Sequence, residues 1–373
     1  DARKGQESRC GGLTPPHLCV VQSYLRGRSS TERVNDAITE LNGLLSTRDG
    51  LYCFGSEEGK YVGSKDDNKE AALGPVAQLQ IVPAEFAIAP GQKQEFKVYG
   101  LDKSGRRVEI ITEDLSWEKF IPPTAKVKAK VDATLDAKTG TITAGKDAAL
   151  SAGALKVTHK GMSATTRGRV EATIGYTADF EDVELKMESP DGVKVNFPPL
   201  AWLGARIKWY VLEKDGSKVI ANRLDNVLFQ RTMNFFGGED MTNYVIEANV
   251  MTDGNRRIKS EVGLINQRYK ISLVGNKNVL EVSSNYERVQ QAVKFPVKAN
   301  QWYHLKTHVK NNGDGTGEVR AKAWTKGEDE PAEWTIKVPV KKLHPHGAPG
   351  IYAFSPQAQK RVYIDNIKIS AGE

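Results

Sequence analysis

The sequence predicts an all-β fold in which two β-sandwiches follow an irregular N-terminal segment. From Pro75 onward, short apolar runs recur at intervals of roughly ten residues, as expected of consecutive antiparallel strands. Turn-forming Gly, Asn, Asp and Pro separate the runs, and no helical pattern of useful length interrupts them after Gly175. The chain has 373 residues, of which 39% are hydrophobic, so it can bury a core in each of two or three domains.

Residues 1–74 differ from the rest of the chain because they show little strand periodicity. A short helix that begins in a capping-box pattern is expected between Ser29 and Gly43. From Leu44 to Gly55 the sequence LLSTRDGLYCFG predicts a β-hairpin with an Asp-Gly turn. The charged, Gly-rich stretch from Ser56 to Gly74 has the composition of a solvated linker, which places a domain boundary there.

The three cysteines, Cys10, Cys19 and Cys53, all lie in this N-terminal segment. Their spacing matches no CxxC metal knuckle, so at most one disulfide is expected and the redox compartment stays open. The domains that follow contain no cysteine and must be held together by packing alone.

The net charge of +7 is spread along the chain, as −1 for residues 1–74, +4 for 75–175 and +4 for 176–373. Nucleic-acid-binding proteins usually concentrate Lys and Arg on one face, and no such cluster is evident. No apolar run approaches the roughly 18 residues that a bilayer span needs. We therefore expect neither a nucleic-acid partner nor a membrane span.

Residues 75–175 predict the first sandwich, with strand candidates at Gln78–Val82, Gln94–Tyr99 and Val108–Ile111. The segment from Asp136 to Ala144, DAKTGTITA, reproduces the D-x-x-T-G-x-I-T-A pattern of bacterial Ig-like group 2 domains. The domain as a whole resembles that family. The resemblance implies an Ig-like β-sandwich of the kind that exported proteins use as spacers or adhesion modules.

The same segment contains an incomplete phosphate-binding loop. Gly140 to Lys146 fits the start of the pattern, but Asp147 stands where the pattern requires Ser or Thr. A carboxylate there would repel phosphate, and residues 139–143 alternate like a strand. The sequence therefore disfavours nucleotide binding.

Residues 176–373 predict a larger antiparallel sandwich or jelly roll. Its strand candidates, separated by Gly- and Asn-rich turns, are Tyr244–Val250, Glu261–Ile265, Tyr269–Val274, Val279–Ser284, Tyr303–Lys310, Glu318–Trp324, Trp334–Val338 and Val362–Ile369. A helix-free stretch of about 200 residues suits two large sheets packed face to face.

Four motifs in this domain resemble concanavalin-like jelly rolls of the laminin-G-like type. They are WYHLK at Trp302–Lys306, GEVRAKAW at Gly317–Trp324, GIY at Gly350–Tyr352 and VYIDNI at Val362–Ile367. The hairpin at 44–55 resembles the last hairpin of a pyrroloquinoline-quinone-type β-propeller. As a whole, the chain resembles the C-terminal region of exported propeller proteins from planctomycete-type bacteria.

This resemblance implies a periplasmic, extracellular or cell-surface location and attachment to an N-terminal β-propeller. Pyrroloquinoline quinone itself is not expected to bind to the residues of this chain. The laminin-G-like likeness implies a binding domain whose partner is a polysaccharide or a cell surface.

Glycoside hydrolases also occur among jelly rolls of this class, and they need two carboxylates about 5 to 9 Å apart. The E-x-D-x-E strand motif of those enzymes is absent. Glu328 and Glu330 have a suitable spacing but lie in a charged loop, where solvation is expected. No His pairs with a nucleophilic Ser or Cys at a recognised spacing.

Two histidine pairs suggest metal ligation only weakly. His304 and His308 would lie about 13 Å apart on one extended strand, too far to share an ion, and a half-exposed sheet face is the better interpretation. His344 and His346 have i, i+2 spacing, but no third ligand is evident.

Asp365 and Asn366 are candidate calcium ligands, because lectin-like folds bind calcium through Asp and Asn oxygens near a ligand rim. The competing interpretation is that Asp365, within the terminal strand, accepts hydrogen bonds from a neighbouring turn. Calcium sites need several oxygens, which favours the hydrogen-bonding role.

A carbohydrate site needs a flat aromatic ring against the apolar face of a sugar, with polar side chains around the hydroxyls. The residues that offer this chemistry are Trp334, Trp302, Trp324, Arg268, Tyr269 and Asn266. Trp302 and Trp324 have a competing interpretation as core residues, whereas Trp334 follows a polar loop and is the better candidate for exposure.

Together these observations predict a non-catalytic accessory region that recognises carbohydrate or a cell-surface partner. The alternatives are a polysaccharide hydrolase or lyase whose carboxylates meet only in three dimensions, and a purely structural spacer.

Overall fold

The computed structural model describes the backbone of residues 44–47 and 50–53, and residues 72–125, 127–285 and 288–372. Contacts divide the chain into two units, Asp1–Leu73 and Gly74–Glu373. In the first unit, β1 (Leu44–Thr47) and β2 (Gly50–Cys53) form the predicted antiparallel hairpin. The predicted helix at 29–43 lies outside the described residues.

The first sandwich of the second unit is built from short strands. They are β3 (Gln78–Val82), β4 (Glu85–Ile88), β5 (Lys93–Gln94), β6 (Lys97–Leu101), β7 (Arg107–Ile111), β8 (Ser116–Phe120), β9 (Thr134–Leu135), β10 (Ile142–Thr143), β11 (Ser151–His159) and β12 (Met162–Val170). Sheets β4-β12-β11-β8, β3-β6-β7 and β5-β10-β9 enclose one core. β4 and β12 pair in parallel and the other pairs are antiparallel.

The D-x-x-T-G segment forms a tight turn against this core. The Asp136 carboxylate accepts hydrogen bonds from the backbone N–H of Lys138 at 2.8 Å and of Thr139 at 3.1 Å. Gly140 then adopts a left-handed backbone with φ of 76°, and a Cβ there would lie 2.3 Å from the buried Trp117 ring. Glycine is therefore required for both conformation and space. Strand β10 follows directly, so residues 140–147 do not form a phosphate-binding loop.

The second sandwich contains the remaining strands of the chain. They are β13 (Thr177–Ala178), β14 (Met187–Glu188), β15 (Lys194–Asn196), β16 (Trp209–Lys214), β17 (Ser217–Asn222), β18 (Arg231–Phe235), β19 (Tyr244–Thr252), β20 (Glu261–Asn266), β21 (Tyr269–Val274), β22 (Val279–Ser284), β23 (Val289–Lys294), β24 (Trp302–Asn311), β25 (Gly317–Thr325), β26 (Ile336–Val340), β27 (Gly350–Phe354) and β28 (Val362–Ala371). Short 3-10 helices lie at Ala205–Ile207, Val227–Phe229 and Pro356–Ala358.

These strands form two antiparallel sheets packed on one core. The ten-stranded sheet has the order β14-β15-β16-β17-β28-β19-β24-β25-β26, with β13 also paired to β28, and the six-stranded sheet has the order β18-β27-β20-β21-β22-β23. Alternate residues of each strand enter the core, such as Ile246 and Ala248 of β19 and Val262 and Leu264 of β20, all fully buried. The prediction of an all-β chain with a jelly-roll-like sandwich is confirmed.

The helices of the described part are three residues long each, and none of them could cross a bilayer.

Candidate functional site

Polar and aromatic side chains are concentrated on the outer face of the ten-stranded sheet. Ile246, Ala248 and Val250 of β19 point into the core, so Glu247 and Asn249 between them point outward. We call this surface the tryptophan face. Its members are Glu247 and Asn249 of β19, Trp302, His304, Lys306 and His308 of β24, Lys322 and Trp324 of β25, Asp365 of β28, and Trp334, which packs on it from the loop before β26.

Cross-strand pairing arranges these side chains in two adjacent rows. Asp365, Asn249, His304 and Trp324 lie directly opposite one another on successive strands. The neighbouring row contains Lys368, Glu247, Lys306 and Lys322, two residues along β19, β24 and β25 and three along β28, where the register shifts. Facing residues on one side of an antiparallel sheet have Cβ atoms about 5 Å apart, so the rows form a continuous polar strip.

His304 is held at the centre of the strip by contacts on both ring nitrogens. Nδ1 lies 3.0 Å from Asn249 Oδ1, and Nε2 lies 3.3 Å from Glu247 Oε2. The Trp324 ring packs on the imidazole with a centroid separation of 4.5 Å. Contacts at both nitrogens and on the ring face fix the orientation of the imidazole.

Glu247 is the electrostatic centre of the second row. The hydrogen bond from His304 lowers the pKa of its carboxyl to about 2, and attraction to Lys306 and Lys368 adds to this effect despite the cost of burial. The carboxylate is therefore ionised at neutral pH. A residue in this state can orient cations and accept hydrogen bonds but cannot act as a general acid.

The three tryptophans are partly exposed, and polar groups hold the position of each ring. Trp302 Nε1 donates to Asp215 at 2.9 Å, in the turn between β16 and β17, and Lys326 lies 5.4 Å from the Trp302 ring centre. Lys322 Nζ lies 5.0 Å from the centre of the Trp334 ring. The structure therefore brings together Trp302, Trp324 and Trp334. Trp302 packs against a small buried cluster that includes Tyr210 and Leu212, so its interpretation as a core residue holds in part. Trp324 belongs to no core cluster of the described residues.

A charged loop crosses the edge of the tryptophan face. Its Glu330 lies 2.9 Å from Lys306 and 2.6 Å from Lys322, although the loop was expected to be solvated. Lys322 is buried to 6% exposure and Glu330 is the partner that compensates its charge. Glu328 is exposed, as predicted.

Asp365 has a hydrogen-bonding role in the described structure. Its carboxylate accepts from the backbone N–H of Asn366 at 2.7 Å and from the Asn366 side chain at 2.9 Å, and the Ser217 hydroxyl lies 3.3 Å away. Burial raises the pKa of the Asp365 carboxyl. No group of three or more His, Cys, Asp or Glu suited to a metal ion occurs among the described residues, so calcium at Asp365 and Asn366 gains no support.

The predicted group of Asn266, Arg268 and Tyr269 does not join this site. Asn266 and Tyr269 are fully buried, and Asn266 Nδ2 donates to the Tyr244 carbonyl and to Thr307. These positions correct the sequence-based prediction, because neither side chain can reach a ligand on the surface. Arg268 is exposed in the β20–β21 turn, with a positive φ of 72°.

The two residues of the second histidine pair, His344 and His346, contact different groups. His344 is buried and its Nε2 lies 3.0 Å from the hydroxyl of Ser284, whereas His346 contacts the backbone carbonyl of Glu239 at 2.7 Å. The Ser284–His344 contact was not predicted. With 6% and 2% exposure, the two side chains are closed off from a polymer substrate.

The outer face of the six-stranded sheet carries a second polar group that the sequence did not reveal as a unit. Lys270 Nζ lies 2.6 Å from Glu261 and 3.5 Å from Glu281, and Ser272 donates to Glu261 at 2.7 Å. Since one ammonium contacts both glutamates, their nearest carboxylate oxygens are at most about 6 Å apart, which overlaps only the short end of the range of glycosidase carboxylate pairs. The sequence did contain a sign of this group, because Glu261, Lys270 and Glu281 are charged residues in three otherwise mainly apolar strands.

Comparison with known proteins finds no sequence-family model and no curated protein that matches the chain. Among solved structures, it is similar to a mutant of the GH43 protein BlXynB from Bacillus licheniformis, with 10% identity and a TM-score of 0.35, covering 74% of this chain and 60% of that one. It is similar to the PL-14 alginate lyase from Aplysia kurodai, with 10% identity and a TM-score of 0.36, covering 54% and 100%. A third is the endo-β-1,4-glucuronan lyase from the fungus Trichoderma reesei, with 10% identity and a TM-score of 0.31, covering 53% and 96%. With TM-scores below 0.5, these similarities do not bear on the activity of this chain.

Proposed function

We propose that the tryptophan face binds a polysaccharide without cleaving it. The observation that carries the proposal is the placement of three partly exposed indole rings around a fixed polar strip on one sheet face. Indole faces pack against the apolar faces of sugar rings, and the exposed ammonium of Lys368 and the partly exposed one of Lys306 offer donors for hydroxyls.

The protonation and contacts of the strip favour binding over chemistry. The Glu247 carboxylate has a pKa of about 2, and both nitrogens of His304 are engaged. The Glu247 carboxylate therefore cannot act as a general acid at neutral pH. Prearranged side chains, by contrast, lose little freedom when a ligand binds. The sequence resemblance to exported propeller proteins supports a periplasmic or cell-surface location for this activity.

Affinity electrophoresis of the full chain in gels with xylan, mixed-linkage β-glucan, alginate or polygalacturonate tests the proposal. At least one polysaccharide should retard the protein, and Trp324→Ala should weaken that binding about tenfold, as expected for a central aromatic contact. Phe235→Ala is the matched control, because Phe235 is an exposed aromatic on the other sheet. Retardation by none of the polymers, or equal weakening by both variants, would contradict the proposal.

A hydrolase or lyase is the second candidate, on the specific ground of the Glu261–Lys270–Glu281 group. If this group cleaves polysaccharide, the wild-type chain should release reducing ends or unsaturated products from one of the same polymers. Glu261→Gln should abolish the release, whereas Glu328→Gln, in the exposed loop, should not. Neither binding nor turnover on any polymer would leave the spacer role as the better explanation.

A further inference from the structure

A groove of about 440 Å³ lies between the two sandwiches of the second unit. One wall comes from the first sandwich, through β8, β11, β12 and the loop after β8. The other wall is the segment from Leu200 to Ile207, which precedes β16. Its volume lies within the range of small-molecule sites, and such sites form preferentially where domains meet.

The walls of the groove are apolar although they face solvent. Val127, Leu200, Leu203 and Ile207 are 43%, 42%, 63% and 54% exposed. Among the described residues, these are four of the eleven large hydrophobic side chains that are exposed. Apolar area of this kind is costly to hydrate, so a ligand that covers it gains binding energy.

Arg206 also lines the groove. Its Nε is buried, and no hydrogen-bond acceptor for it occurs among the described residues. The guanidinium packs over the Phe197 ring at 4.4 Å, which fixes its plane, and burial lowers its pKa. An unpaired buried donor is unfavourable, and the natural partner of a guanidinium is a carboxylate or another oxyanion.

We propose that this groove binds a small amphipathic anion, with its apolar body against Leu200, Leu203 and Ile207 and its carboxylate on Arg206. Arg167 and Arg169 on the facing wall add positive charge. Glu85, on the neighbouring strand of that wall, is the acidic residue among the lining residues and pairs with Arg167 at 2.7 Å. The excess of arginine favours an anion over a neutral or cationic ligand. The surface of this groove alone is much smaller than the roughly 800 Å² per partner that a stable protein interface buries.

The probe is 8-anilinonaphthalene-1-sulfonate, whose fluorescence rises in apolar sites, followed by competition with decanoate or decanol. We expect the folded full chain to bind the probe and decanoate to displace it at least tenfold more effectively than decanol, because a charged hydrogen bond discriminates by that order. Arg206→Met should remove the preference for decanoate, and Arg206→Lys should retain part of it. Leu203→Glu should weaken both competitors more than about tenfold, since it places a charge against the apolar body.

Arg256→Met and Leu228→Glu are the matched controls, because both residues are exposed and lie outside the groove. Thermal unfolding of each variant separates loss of the site from loss of the fold. Equal displacement by decanoate and decanol, or equal effects of groove and control variants, would overturn the proposal. Concentration-dependent dimerisation that Leu203→Glu abolishes, seen by sedimentation velocity, would also overturn it and would assign the apolar walls to a second copy of the chain.

Discussion

Replacing Glu247 by Gln tests the electrostatic arrangement of the tryptophan face directly. The carboxylate contacts His304 at 3.3 Å and lies 3.8 and 3.4 Å from the ammonium groups of Lys306 and Lys368. A glutamine of the same shape keeps the packing and removes the charge. Three cationic or hydrogen-bonding neighbours would then lose the group that holds them together.

The size of the effect follows from the pKa of Glu247. It falls from an ordinary value of 4.5 to about 2, and each unit corresponds to about 1.4 kcal/mol. The side chain is 13% exposed, so water screens the interactions only in part. The ionised carboxylate thus stabilises the fold by on the order of 3 kcal/mol at neutral pH. Because its folded pKa is depressed, this stability is present above pH 4.5 and is lost as the pH falls toward 2.

Urea unfolding of wild type and Glu247→Gln between pH 7 and pH 3 measures this contribution. The difference in unfolding free energy should be about 3 kcal/mol at pH 7 and should shrink steadily below pH 4.5. Glu328→Gln, at an exposed loop position, should show no difference at any pH. A difference for Glu247→Gln that stays constant with pH would refute the electrostatic explanation, because a packing defect does not titrate.

Three further substitutions test other parts of the molecule. Asp365→Asn should leave stability at pH 7 within about 1 kcal/mol of wild type or raise it. Burial raises the pKa of Asp365, so the wild type loses stability as the pH rises through that value. Urea midpoints at pH 4 and 7 check this. Gly140→Ala should cost about 2 to 4 kcal/mol by adding overpacking to backbone strain, whereas Gly105→Ala, with φ of 81° but open space around it, should cost about 1. Leu155→Ala should cost about 2 to 5 kcal/mol and the exposed Leu228→Ala about 0.5 or less in the same assay.

Strand positions were predictable where alternation and turn residues coincide. Gln78–Val82, Tyr269–Val274 and Val279–Ser284 match the observed strands residue for residue. The hairpin of β16 and β17 is not among the strands predicted from the sequence, although its Asp215-Gly216 dipeptide is a strong hairpin signal. In the structure both residues of this turn have positive φ. The strand predicted at Trp334–Val338 begins at Ile336, because Trp334 belongs to the loop that packs over Lys322.

The candidate site was predictable in composition but not in arrangement. Trp302, His304 and Lys306 share one face of β24 by simple alternation, so the sequence alone could have grouped them. The contact between Glu247 and His304 spans 57 residues and depends on the register between β19 and β24. That register is set by the core residues on the opposite side of both strands, and a shift of one residue would separate every pair in the strip.

The same dependence on register explains why the two polar groups of the second sandwich differ in character. On the tryptophan face, Trp302 and Trp324 lie near the ends of β24 and β25, so the partly exposed rings lie beside the ion pairs and not within them. On the six-stranded sheet, Glu261, Lys270 and Glu281 come from three adjacent strands and satisfy one another, with both glutamates below 10% exposure. A ligand on the first face gains stacking without breaking an ion pair. A ligand on the second must compete with Lys270 for both carboxylates, which is why binding is proposed for the tryptophan face and turnover is the decisive test for the other.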